Sequence, residues 1–78
     1  MKNFKEKLAV ENGNYELEFI RIRAPRGWKF FISLSRGGEL LVSFDMVEDG
    51  HTWKIVPPVP QWVLEKETAL SEIIKNHL

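Results

Sequence analysis

Cysteine is absent from this 78-residue chain, so neither a disulfide nor thiol chemistry is available to it. Small secreted domains with thin cores are usually stapled by disulfides, and a cysteine-free sequence of this length is expected in a reducing, cytoplasmic compartment. Histidine is scarce too. His51 and His77 lie far apart, which leaves no ligand set at zinc-site spacing and no expected metal or other cofactor. No apolar run approaches the ~20 residues that a membrane span requires. The opening Met1-Lys2-Asn3-Phe4-Lys5-Glu6-Lys7 lacks the apolar core of a signal peptide, so the chain reads as soluble and unprocessed.

An excess of either charge is also missing. Eleven Lys and Arg balance eleven Asp and Glu, whereas domains built mainly to hold a polyanion usually carry a clear positive surplus. The balance is not local, however. Arg21, Arg23, Arg26, Lys29 and Arg36 fall in a stretch with no acidic residue, and Glu39, Asp45, Glu48 and Asp49 follow in one with no basic residue.

What the chain does have is alternation. Phe4, Leu8 and Val10 share one parity, as do Trp28, Phe30, Ile32 and Leu34, and then Leu40, Val42, Phe44 and Met46. Side chains of a strand point alternately to its two faces, so this pattern predicts a sheet with one buried and one wet side. Turn chemistry divides it. Asn12-Gly13 suits the positive φ of a type I′ hairpin, and Ala24-Pro25-Arg26-Gly27, Arg36-Gly37-Gly38 and Glu48-Asp49-Gly50 mark the next three reversals. The expected strands are 4–11, 15–23, 28–35, 39–47 and 52–56. In the second, the apolar parity passes from Tyr15, Leu17 and Phe19 to Ile20 and Ile22, which predicts a β-bulge near Phe19-Ile20; a strand buried on both faces is the competing reading.

Pro57-Pro58-Val59-Pro60 cannot continue a ladder, because proline has no backbone donor. It forms a stiff exit, and Pro60 suits the first turn of a helix over 61–77. Trp62, Val63, Ala69, Leu70, Ile73 and Ile74 gather on one side of that helix, with Glu65, Glu67, Glu72 and Lys75 outward and Lys66 at the inner edge. The expected architecture is α+β: one domain over 1–78, a five-stranded antiparallel meander followed by one C-terminal amphipathic helix on one face.

Chemistry-bearing motifs are lacking. Ser33, Ser35, Ser43 and Ser71 have no nucleophile elbow around them, and neither a Walker lysine nor an H-E-x-x-H pair occurs. Asp45, Glu48 and Asp49 beside His51 are the one place for acid–base or hard-metal chemistry, but turn formation accounts for Asp49-Gly50 and Asp45 is expected to point outward. A catalytic site is therefore not expected, and the chain reads as a non-enzyme. Arg36-Gly37-Gly38 is read as a backbone turn rather than a phosphate cradle. Trp53 and Trp62 flank the proline exit and are expected to pack against each other or the sheet, and the exit is itself a linker rather than a Pro-rich ligand.

Two binding readings remain. A sheet covered by a helix on one side leaves Phe31, Leu41, Val47 and Val56 on the other, and exposed apolar surface of this kind marks a contact site. The first expectation is a binding or assembly module that self-associates, as a homodimer, or takes a protein partner. The alternative is a single-stranded nucleic-acid binder that uses Arg21, Arg23, Arg26, Lys29 and Phe31, provided that Arg21 and Arg23 share the face of Phe31.

Overall fold

Each reversal in the sheet is a tight hairpin. The closing pairs are Val10–Gly13, Ala24–Gly27, Arg36–Glu39 and Asp49–Thr52, so only two residues separate the paired positions each time. Loops this short force every strand to pair with its neighbour in sequence. The computed structural model of the chain describes residues 3–78. It contains β1 (Phe4–Val10), β2 (Gly13–Ala24), β3 (Gly27–Arg36), β4 (Glu39–Asp49) and β5 (Thr52–Ile55), then two short helices, α1 (Gln61–Leu64) and α2 (Glu67–Asn76). The strands form one antiparallel sheet in the order β1-β2-β3-β4-β5. This is the expected α+β meander, with its C-terminal helical segment on one face.

Local chemistry accounts for the turns. Gly37 and Gly38 have φ of 58° and 81°, the positive values that a type I′ loop demands at both centres. At the first hairpin the loop sits one residue earlier than Asn12-Gly13 suggests. Glu11 and Asn12 form it, Asn12 takes φ of 70°, and Gly13 already pairs with Val10.

The bulge also lies elsewhere than expected. In β2 the register runs unbroken from Glu16–Ser35 to Ala24–Gly27, so no residue is inserted near Phe19-Ile20. The shift falls instead between β3 and β4, where Leu34 pairs with Val42 but Ser35 with Leu40, leaving Leu41 as the extra residue. Two demands meet there. The Gly37-Gly38 turn fixes Arg36 against Glu39, while the core needs Ile32 opposite Phe44. A one-residue slip would turn the whole apolar set of β4 outward, and the bulge absorbs the mismatch.

One face of the sheet carries the core. Leu17, Phe19, Phe30, Ile32, Leu34, Phe44, Met46, Trp53 and Ile55 are buried against Val63, Leu70 and Ile74 of the helices. Aromatic rings run across it. Phe4 stacks on Phe19 at 4.5 Å, Phe19 meets Phe30 edge-on at 6.3 Å, and Phe30 meets Trp53 edge-on at 5.1 Å. Such pairs are worth about 0.5–1.5 kcal/mol beyond the area they bury.

The single expected helix is broken at Glu65-Lys66. The break lets Trp62 settle on Tyr15 of β2 at 5.6 Å while Glu67 reaches β5. From there α2 crosses the sheet, and His77 at its end stacks on Phe4 at 3.7 Å and bonds to Glu6 of β1 at 2.8 Å. Glu67, expected outward, turns to the sheet, whereas Ala69, expected inward, is exposed and Ile73 is only half-buried. Among the described residues no helix is long and apolar enough to cross a membrane.

Glu67 and Ser71 solve an edge problem. The backbone amides of Trp53 and Ile55 point away from β4, where an unpaired strand edge invites pairing with another chain. Trp53 N–H donates to Ser71 Oγ and Ile55 N–H donates to Glu67 Oε2, each at 2.9 Å. Glu67 is steadied by Lys54 Nζ at 3.5 Å. Ser71 is 4% exposed, so removing its hydroxyl strands a buried donor. Ser71→Ala is expected to lose about 1–3 kcal/mol in urea unfolding; an unchanged midpoint would mean that water reaches Trp53 N–H.

Candidate functional site

The helices pack on one face of the sheet, and among the described residues no element covers the other, helix-free face. Strand alternation and the register place Ile20, Ile22, Phe31, Val47 and Val56 on it together. Ile20 pairs with Phe31 and Phe31 with Asp45, while Ile22 pairs with Lys29 and Lys29 with Val47. Val56 N–H donates to the Asp45 carbonyl at 2.9 Å, which carries the row onto the end of β5. Val47 and Val56 are 37% and 40% exposed, and Ile20, Ile22 and Phe31 are half-buried by their neighbours alone.

Charges on this face come in opposed pairs. Lys29 Nζ meets Asp45 Oδ2 at 3.2 Å within the apolar band. Beside the band, Lys5 stands opposite Glu18 and Lys7 opposite Glu16 across β1 and β2. These side chains, with Ser33, Ser35 and Gly38, line a shallow hollow of about 650 Å³. A face with apolar side chains at one end and a balanced lysine–glutamate lattice at the other can bury a flat surface and pair charges across it.

The five residues expected for nucleic-acid binding do not form one patch. Lys29 and Phe31 stand on the helix-free face, and Lys29 is committed to Asp45. Arg21 pairs with the buried Phe30, and Arg23 with Trp28, so both arginines lie on the core side of the sheet. The physical reason is the unbroken register of β2: without a bulge at Phe19-Ile20, Arg21 keeps the parity of Phe19. Arg26 stays exposed in the β2–β3 turn. Trp28, expected in the core, is 40% exposed at its margin, with the Arg21 guanidinium 3.8 Å and that of Arg23 5.1 Å from its ring centre.

Ile20 and Ile22 lie on the helix-free face instead of the core side, and so does Leu40, expected to be buried with Val42, Phe44 and Met46: the bulge at Leu41 sets it opposite Ser35, where it is 59% exposed. The signal of the two isoleucines was present as the parity change in β2, which a strand apolar on both faces explains without a bulge.

The acidic cluster is divided as well. Asp45 lies on the helix-free face, while Glu48 shares the core side with Trp53, its partner in register. Thr52 Oγ1 donates to the Asp49 carbonyl at 3.1 Å, and His51 is exposed in the turn. No group of three or more His, Asp or Glu side chains among the described residues is placed to hold a metal ion. Ser33 and Ser35 face the hollow, Ser43 is exposed on β4, and Ser71 is spent on Trp53. Arg36 Nη2 donates to the Asn12 carbonyl at 2.7 Å, tying the first hairpin to the third. Trp53 and Trp62 pack on Phe30 and Tyr15.

No protein-family model, curated protein or solved structure matches the chain.

Proposed function

We propose that this protein is a non-enzymatic, self-associating module of the cytoplasm, and that two copies join through their helix-free faces. The observation that carries this reading is the self-complementarity of that face. Twofold assembly requires one surface to fit itself. Here apolar Ile20, Ile22, Phe31, Val47 and Val56 can meet their own copies, while the Lys5–Lys7 row lies beside the Glu16–Glu18 row and can cross it in a rotated partner.

The size also suits. Five strands spaced ~4.8 Å apart and roughly nine residues long cover about 700 Å². A stable pairwise interface takes about 800 Å² from each partner. A partner of strong single-sign charge would leave either the lysines or the glutamates unmatched, so a second copy is the better fit. The lack of cysteine agrees with a reducing compartment.

Sedimentation equilibrium tests the reading. Wild-type chain is expected to be dimeric at micromolar concentration, and Phe31→Glu to be monomeric with an unchanged far-UV spectrum, because two like charges would face each other at the twofold. A wild-type chain that stays monomeric at millimolar concentration would overturn it.

A further inference from the structure

The segment with five basic and no acidic residues is used unevenly. Lys29 is paired with Asp45, and Arg36 is bonded to a backbone carbonyl. Among the described residues Arg21, Arg23 and Arg26 have no carboxylate within salt-bridge distance: the ion pairs there are Lys29–Asp45, Lys54–Glu67, Lys75–Glu72 and His77–Glu6. All three residues belong to the β2–β3 end of the sheet: the guanidiniums of Arg21 and Arg23 lie over the ring of Trp28, and Arg26 is exposed in the turn that joins the two strands. This place lies on the helix-bearing side but beyond the helices, which dock on β5, Tyr15 and Phe4.

The arrangement is preorganised for a particular chemistry. A guanidinium held against an indole has lost much of its rotamer freedom before any ligand arrives, while its N–H edge keeps its donors. A planar guanidinium that stacks on a ring through one plane has a second plane on which another flat group can stack. Arg21 and Arg23 are two residues apart on one strand face, so their stems start ~6.7 Å apart, a separation on the scale of successive phosphates along an extended strand. Planar π surfaces interleaved with phosphate-matching forks are the elements by which proteins hold single-stranded nucleic acid.

We propose that Arg21, Arg23, Arg26 and Trp28 form a binding site for single-stranded nucleic acid, with two or three phosphates on the guanidiniums and a base stacked on the Arg21–Trp28 pair. Duplex is disfavoured because its bases are already stacked. By register Glu48, which follows Val47, the partner of Lys29, stands next to Trp28 on the same face. It opposes a polyanion and limits affinity. The site lies across the sheet from Phe31, so it is independent of self-association.

The test is titration of the full chain with an oligothymidylate of about 12 nucleotides, within the ~4–16 that such sites span, followed by tryptophan emission. Trp53 is buried, so Trp28 is the most exposed reporter near the site. Expected is a saturable change whose affinity falls about tenfold between 50 and 200 mM salt, as release of counterions from two or three phosphates gives. Arg23→Ala and Arg26→Ala are expected to weaken binding about fivefold each and to flatten the salt slope. Arg21→Lys keeps the charge but not the planar stack, and is expected to weaken binding as well. Glu48→Gln is expected to tighten it. Lys75→Ala, which removes a cation paired with Glu72 on α2 and belongs to neither surface, is expected to leave it unchanged.

Arg26 and Glu48 are exposed, so their variants keep the fold and the outcome is decisive even if a β2 variant unfolds. Absence of any spectral change at low salt would overturn the proposal. So would indifference to Arg26→Ala together with Glu48→Gln, or inorganic polyphosphate binding as tightly as the oligonucleotide, since stacking would then contribute nothing. A phosphopeptide that binds where oligothymidylate does not would also overturn it.

Discussion

Leu70→Asp is expected to abolish the cooperative thermal transition. Leu70 is fully buried on α2 among the residues that face the sheet, and no cation lies within the core cluster to pair with a new carboxylate. Burying an unpaired charge costs several kcal/mol even after local relaxation. The whole domain has little to spend: at ~0.05–0.15 kcal/mol per residue, a chain of this length is stable by about 4–12 kcal/mol. Two neighbours make the experiment graded. Ile73 is half-buried, so a carboxylate there reaches water and Ile73→Asp is expected to lose only about 1–2 kcal/mol. Ala69 is exposed, and Ala69→Asp is expected to move the midpoint by about 0.5 kcal/mol at most. Circular dichroism melts of the three variants read this directly. A cooperative Leu70→Asp transition near that of the parent would mean that α2 docks by another face.

Phe30→Ala is expected to be the most damaging truncation in the sheet. The ring is completely buried and sits at the junction of Phe4, Phe19 and Trp53, at centroid distances of 5.8, 6.3 and 5.1 Å. Removing a buried phenyl costs about 3–5 kcal/mol, the transfer of its atoms plus the cavity left behind. In a domain this small each kcal/mol moves the midpoint by about 4–8 °C, so a fall of about 12–40 °C or loss of the transition is expected. Trp53 emission should shift to the red as its packing partner disappears. Phe31→Ala, the next residue on the opposite face, is half-buried within one chain and is expected to lose no more than about 1 kcal/mol when both proteins are melted at a concentration where they are monomeric. Equal effects of the two truncations in the monomer would show that the helix-free face is as tightly packed as the core.

The difference between those adjacent phenylalanines was already legible in the sequence. Phe30 keeps the parity of Trp28, Ile32 and Leu34, and Phe31 that of Lys29, Ser33 and Ser35. Alternation is a strictly local property of an extended chain, which is why it needs no tertiary information. Turn positions were legible to within a residue for the same reason. Gly37-Gly38 and Gly50 supply the positive φ of their reversals, although the last loop is Gly50-His51, with Asp49 still in β4 and paired with Thr52, and four short hairpins leave a meander as the remaining topology.

The binding surfaces were harder to read. The stretch rich in arginine was visible as composition, but its division between two faces depends on where a single residue is inserted. Local pattern placed that insertion in β2, at the parity change. The structure places it at Leu41 in β4, and so Arg21 and Arg23 stay with Trp28 while Lys29 and Phe31 stand on the other side. The helix tells the same story. Its apolar stripe is local, but the break at Glu65-Lys66 answers to Tyr15 and to the amides of β5, positions distant in sequence.

The sequence by itself thus determined the five strands, their order, the face that is buried and the helical segment that covers it, because parity, glycine turns and helical spacing act within a few residues. Only the tertiary structure decided the register between β3 and β4, the path of the helices over β5, and which cations share a face. Those are agreements between segments that meet only once the chain has folded. A register changes by whole residues, each of which moves every side chain of a strand to the opposite side of the sheet.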